Sequence, residues 1–342
     1  MPSHLSRNDV DTTIRVGLSI GLPLLVVYAV DRLDLAVYAA FGALTSLYGN
    51  AETSHRRLET LVVAAVGLVA TIFVATVFTA AHGPLWLLGL LLATTALSAG
   101  TLGALMRWVP RGEIFFVLVL LVLAQMPIDW GKLPLAMTVA TASAGLSVLI
   151  MGVLWRSPGD RGALRLSELR RRSLDGLTAL DRRQHAVLIL SAAAGVLFAW
   201  LLATALGVGH PYWASVTVAA VMPALASTDI YRRMAHLVLG TLAGVGVAAA
   251  LFSFEPGHVV LIVIIVLCQM GFELFVSRQY GIALMFLSPL AIGMSNLSRG
   301  LPWQPLLLDR LTEAGLGAAV ALVVIVFGRW ILSKVVQPRQ AT

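Results

Sequence analysis

The residues with the clearest capacity for chemistry are two arginine pairs, Arg56–Arg57 in "ETSHRRLETLVVAAVG" and Arg232–Arg233 in "STDIYRRMAHLVLGTLAG". Each pair leads straight into an apolar run, and the same offset of 176 positions carries Arg57 onto Arg233. A guanidinium beside a helix N-terminus, with its free N–H groups, suits a carboxylate or another organic anion. Anchoring at the lipid headgroups is the competing explanation, and it fits Arg56 and Arg232 best. Arg57 and Arg233, one residue deeper, are open to both readings.

Proton-carrying groups stand close by. Glu59 follows the first pair and His236 the second, and either can titrate or pair with its arginine neighbour. Further along, Gln269 and Glu273 interrupt "CQMGFELFV", and Asp309, Arg310 and Glu313 interrupt "LLLDRLTEAGLG". Arg310 and Glu313 are three apart and share one helix face, where an internal ion pair can form. Ionisable residues in apolar surroundings are functional candidates because lipid burial is costly. Gly240 and Gly244 form a GxxxG face, expected to serve close helix packing.

The elements that position these groups follow from composition. Of 342 residues, 58% are hydrophobic and 12% charged, and mean hydropathy is +0.89. Soluble domains are about a quarter charged, so an integral membrane protein is expected. The one cysteine, Cys268, lies in an apolar run and excludes a disulfide framework or a cysteine metal site. No signal peptide is expected, because residues 1–14 are polar and the first apolar stretch lacks a cleavage pattern. No P-loop, His-Glu-x-x-His or nucleophile elbow occurs, so no cofactor, metal or enzymatic activity is expected.

Twelve candidate spans can be traced, near 14–30, 35–49, 59–81, 84–106, 113–129 and 134–155, then 186–207, 211–226, 234–254, 257–276, 280–297 and 306–329. With the N-terminus inside, all of the 24 lysines and arginines except Arg32, Lys132, Arg299 and Arg310 fall on the cytoplasmic side. The expected fold is an all-α polytopic membrane protein of about twelve transmembrane helices, with both termini cytoplasmic. Trp86, Trp108, Trp130, Trp155, Trp303 and Trp330 fall near span ends, as headgroup-zone rings do.

Under the offset of 176 the halves align without a gap from Leu18 to Phe78. Six spans per half give both the same orientation, hence two parallel six-helix repeats. The organisation expected is a cytoplasmic N-terminus (1–13), a first repeat (14–155), a linker (156–185), a second repeat (186–334) and a tail (335–342). The linker repeats leucines at helical spacing among arginines, which predicts a basic amphipathic helix on the membrane surface rather than a nucleic-acid site. In each half the second span is short and interrupted, by Gly42 in "LAVYAAFGALTSLYG" and by Pro223 in "HPYWASVTVAAVMPALAST". Such matched interruptions either mark a transporter binding site or are short tilted helices shielded by their neighbours.

The segment "HPYWASVTVAAVMPALASTDIYRRMAHLVLGTLAG" resembles the fusaric acid resistance protein-like (FUSC) membrane proteins, as do "RQYGIALMFLSPLAIG" and "DRLTEAGLGAAVALVV" after it. The likeness covers residues 186–328 and is weaker over 14–155. It implies a relation to aromatic acid exporters and, more distantly, to malate-permeable anion channels of plants. By position it points to Tyr212, Trp213, Arg233, Gly240, Thr241 and Arg310. Many relatives carry a sizeable cytoplasmic domain for which this chain has only the linker, and some need partner proteins.

The expectation is therefore a secondary exporter of small, aromatic organic acids in the bacterial cytoplasmic membrane, coupled to an ion gradient. Substrate contacts are expected from Arg57, Arg233, Tyr212, Trp213, Thr241 and Arg310, near the interface of the two halves. Glu59, His236, Glu273, Asp309 and Glu313 are the candidates for proton coupling. Membrane lipid, the organic anion and a homo-oligomer or accessory efflux subunit are the expected partners, with no nucleic acid. A passive organic-anion channel and a non-transporting membrane scaffold stand as alternatives.

Overall fold

The structure, a computed structural model, describes residues 7–50, 52, 54–106, 108, 113–153, 179–222, 225, 227 and 229–336. Most of the linker, with its expected amphipathic helix, lies outside the described residues, as do Arg107, Arg111, Trp155 and Pro223. Every regular element among the described residues is helical. The α-helices are α1 (Arg7–Ala29), α2 (Ala36–Ala43), α3 (Ser54–Ala80), α4 (Leu85–Met106), α5 (Ile114–Leu123) and α6 (Leu133–Val148). They continue with α7 (Ala179–Ala205), α8 (Tyr212–Val221), α9 (Ile230–Phe252), α10 (His258–Val276), α11 (Tyr280–Arg299) and α12 (Trp303–Val336).

Nine of the described helices are long and apolar enough to cross a membrane. Their outward faces carry large apolar side chains, such as Val66, Leu239, Phe327 and Leu308, each more than 60% exposed, where lipid supplies the missing contact. The chain is a multi-pass membrane protein. The three remaining apolar elements, Leu33–Leu47, Ile114–Leu123 and Tyr212–Val221, are shorter than a span requires. The stretch expected as a fifth span, 113–129, forms only the ten-residue α5. Its helix ends in turns over Gln125 and Met126, because the residue before Pro127 is sterically excluded from helical geometry.

The second stretch is broken at both ends. A 3₁₀ turn, Leu33–Leu35, leads into α2, and a second, Leu44–Leu47, leads out of it. Gly49 closes the segment at φ +73°, a backbone conformation in which a side chain is strained. At the other end of the same half, α6 runs into a π-helical turn, Leu149–Val153.

Two compact units are present, each drawn from both halves of the sequence. In the first (Met1–Phe73, Asp129–Gly162, His236–Leu311), α1 packs on α2, α6 and α10, α10 packs on α11, and α2 packs on α6 and α11. In the second (Val74–Ile128, Ala163–Ala235, Thr312–Thr342), α7 packs on α8 and α4, and α5 packs on α8 and α4.

The tryptophans divide by burial. Trp86, Trp130 and Trp330 are 58–71% exposed, as headgroup-zone rings should be. Trp108 corrects the expectation: it is wholly buried and stacked on Phe116, with ring centroids 6.0 Å apart. Its amide donates back to Gly103 O at the end of α4 (3.0 Å), which folds the ring inward over the first turn of α5. Trp200 and Trp213 are also buried.

Candidate functional site

The interrupted helices organise the polar groups of each unit. In the first unit every residue of α2 and of the 3₁₀ turn after it is buried. That burial is made possible by close approach to α6: a Cβ at Gly42 would lie 2.3 Å from Ala140 O, so only glycine fits there. Ser143 Oγ on α6 donates to Ala39 O at 2.6 Å, and Ser46 Oγ donates to Ala43 O at 2.8 Å. Buried backbone acceptors near the breaks are thereby satisfied from side chains.

Arg57 continues this pattern. It is 7% exposed, its Nε donates to Gly49 O at 3.2 Å and its Nη2 donates to Glu52 O at 2.8 Å. The guanidinium thus clamps the chain between the interrupted helix and α3. The Glu52 carboxylate in turn accepts from Thr60 Oγ1 at 2.8 Å. Arg56, beside it, is exposed. The next residue of the clamped loop, Asn50, donates from Nδ2 to Glu273 Oε1 on α10 at 2.7 Å. So Glu273, a proton-coupling candidate, meets the end of the interrupted helix through an amide that no sequence motif had marked. Asn50 Oδ1 is buried without a hydrogen bond. Just beyond α10, Arg278 pairs with Asp9 of α1.

In the second unit every residue of α8 is buried. Gly317 of α12 makes the close approach here: its Cβ would lie 2.6 Å from Ala214 O and 2.7 Å from Thr217 Cβ. Arg233 Nη2 donates to Ala220 O at 3.1 Å, so this arginine also reaches back to the C-terminal turn of the short helix before it. At the opposite end, Glu313 is wholly buried, and its Oε1 accepts the His210 backbone N–H at 2.6 Å. The carboxyl thus satisfies a backbone donor in the turn that leads into α8. Tyr212 and Trp213 open the helix with ring centroids 4.9 Å apart, and both are buried.

The remaining candidates are placed as follows. Thr241 is 3% exposed on α9 and Arg310 is 3% exposed on α12. Glu59, His236 and Asp309 are half-buried. Gly240 and Gly244 lie against α11, where added Cβ atoms would meet Gly281 O at 2.5 Å and Met285 O at 2.8 Å. Arg57 and Glu273 belong to the first unit and Arg233 and Glu313 to the second. Away from these groups, Arg32 donates to both carboxylate oxygens of exposed Asp34, at 2.9 and 3.0 Å. That bond holds the Asp34 carboxyl below its usual range. Among the described residues no cluster of three or more His, Cys, Asp or Glu side chains is arranged to hold a metal ion.

Residues 198–324 match the family described as fusaric acid resistance protein-like. The resemblance read from the sequence is shown over those residues, less than half of the chain. They include α8, Arg233, Thr241, Glu273, Arg310 and Glu313, but not Asn50 or Arg57. The chain is also similar to an uncharacterized membrane protein, YvaC, of Bacillus subtilis (strain 168). Identity is 31% over 130 residues, 37% of this chain and 21% of that protein. The match spans about a fifth of that relative's length. No solved structure matches the chain.

Proposed function

We propose that the protein is a secondary transporter that exports small, chiefly aromatic, organic acids across the bacterial cytoplasmic membrane, driven by a proton gradient. The observation that carries this reading is the pair of short helices, α2 and α8, buried along their whole length and held at their ends by ionisable side chains. Helices too short to cross lipid, enclosed by longer ones, are the recurring setting of transporter sites. Arg57 and Arg233 bring positive charge to the ends of both, where backbone carbonyls accept from them. Arg57, with Thr241 and Arg310, draws the anion in the first unit, and Arg233, with Tyr212 and Trp213, draws it in the second. Glu273, with Glu59, His236, Asp309 and Glu313, exchanges protons.

All twelve apolar elements then belong to the membrane domain, in two parallel six-helix repeats with both termini cytoplasmic. A shared packing pattern supports the repeat: α1 with α2 and α10 corresponds, by position in each half, to α7 with α8 and α4. The match to a family named for resistance to fusaric acid, an aromatic acid, supports the substrate class.

The test is transport in proteoliposomes loaded with benzoate or another aromatic acid. An imposed pH gradient should move the acid through the wild type and much less through Arg233→Ala. Absence of gradient-driven movement, with large unitary currents in a planar bilayer, would instead identify a passive channel. Absence of both, with no organic acid raising thermal stability, would identify a scaffold.

A further inference from the structure

Glu113 immediately precedes α5 and is 4% exposed, yet its Oε1 has no hydrogen-bond partner. Neither the sequence motifs nor the interrupted helices give it a role. Apolar groups of α4, α5 and α7 lie close to it. Trp108, wholly buried, stacks on Phe116, which stands one turn beyond Glu113 on the same face of α5. From α4, Gly100 faces the carboxyl: a Cβ there would lie 3.5 Å from Glu113 Oε2 and 3.2 Å from Ile189 Cγ2 of α7. Glycine at position 100 leaves the carboxyl a close neighbour of the α4 backbone and of Ile189.

The packed elements bring few charges. α4 and α5 carry no ionisable residue, the part of α3 in this unit carries none, and α8, which packs on α5, carries only the Tyr212 hydroxyl. The ionisable groups of α7 are Asp181, Arg182, Arg183 and His185, all in its first two turns, with His185 one turn before Ile189 on the same face. Arg107 and Arg111 lie outside the described residues.

With only its own backbone N–H in support and Oε1 left without a donor, an ionised carboxylate in such a site is strongly disfavoured relative to the neutral acid. Burial between α4, α5 and α7 therefore selects the protonated group. Ionisation requires water or a cation to reach it, and hence a rearrangement of these helices. A carboxyl whose protonation and helix packing are linked in this way is a proton carrier in a transporter's sense.

We propose that Glu113 is a further proton-binding group of the transport cycle, in addition to the groups named above, and that gradient-driven export requires its protonation and release. The inference rests on the transport reading given above. On release the carboxyl O–H bond breaks, the electron pair stays on the carboxylate and the proton passes to water; rebinding reverses the step.

Purified full-length wild type, Glu113→Gln and Glu113→Asp, reconstituted in liposomes and loaded with benzoate, test it. In the wild type, infrared spectra should show a protonated-carboxyl stretch at neutral pH that fades as pH rises and is missing from Glu113→Gln. Glu113→Gln should lose accumulation driven by a pH gradient while keeping benzoate–benzoate exchange, and Glu113→Asp should keep both. As a neutral isostere, Glu113→Gln should unfold no earlier than the wild type. Unchanged gradient-driven accumulation in Glu113→Gln overturns the proposal, as does a spectrum that Glu113→Gln does not alter. A marked loss of stability in Glu113→Gln also overturns it, since that is what an ionised, paired carboxylate would give. If the wild type moves no benzoate in either mode, the transport reading fails and this role with it. The infrared titration separates that outcome from the one in which transport occurs and Glu113 stays ionised.

Discussion

Asn50 and Glu273 are 223 positions apart in sequence and 2.7 Å apart in space, joined by a hydrogen bond from Nδ2 to Oε1. The bond fixes the end of an interrupted helix to α10 and aligns a carboxyl with it. If the pairing holds, Asn50→Asp should destabilise the protein by about 1–3 kcal/mol, because the donor is lost and an acceptor faces an acceptor. Glu273→Gln should recover much of this in the double variant by supplying a new donor. Thermal unfolding of the four proteins measures the coupling, and additive effects would rule the contact out.

The two members of each arginine pair should differ sharply. Arg57→Ala removes bonds to Gly49 O and Glu52 O and should cost about 2 kcal/mol or more. Arg56→Ala, at an exposed position, should stay within about 0.5 kcal/mol of wild type. Chemical denaturation in detergent compares them directly; equal effects would contradict the clamp.

Close approach makes glycine irreplaceable at two matched contacts. Gly42→Ala and Gly317→Ala each force a methyl group against backbone oxygen and should destabilise by about 1–3 kcal/mol. Gly246 on α9 has no atom near its Cβ position, so Gly246→Ala should be neutral or stabilising by up to about 1 kcal/mol. Melting temperatures of the three variants are the measurement, and a harmless Gly42→Ala would refute the packing.

Glu313 acts on α8 through the His210 amide. Glu313→Ala should therefore cost about 1–3 kcal/mol, because the His210 N–H loses its acceptor, while Glu313→Gln keeps an acceptor and should cost less. Hydrogen exchange at peptides covering Tyr212–Val221 should quicken in Glu313→Ala. Unchanged exchange there would show that the helix start is held by other means.

Much of the fold was legible because hydropathy is written locally. The span expected near 84–106 is α4, Leu85–Met106, and the one near 257–276 is α10, His258–Val276. Short stretches were harder. Pro127 ends α5 well before the apolar composition does, and nothing local distinguishes a buried ten-residue helix from the edge of a span. Trp108 was misplaced because a tryptophan at a span end looks the same whether it meets headgroups or folds back onto α5. The repeated arginines, Arg57 and Arg233, lie at the ends of the short helices beside which the sequence places them. That Arg57 and Arg233 bond backbone carbonyls, and that Asn50 meets Glu273, depends on pairings between distant segments, which periodicity does not encode.

The makeup of the first unit has a consequence for biogenesis. α1, α2 and α6 leave the ribosome long before α10 and α11, yet these later helices complete the packing around them. Until then Asn50 has no Glu273 to meet, and polar groups of the early helices must be shielded some other way in the membrane. Packing of the first unit is thus completed only after α10 and α11 have been synthesised.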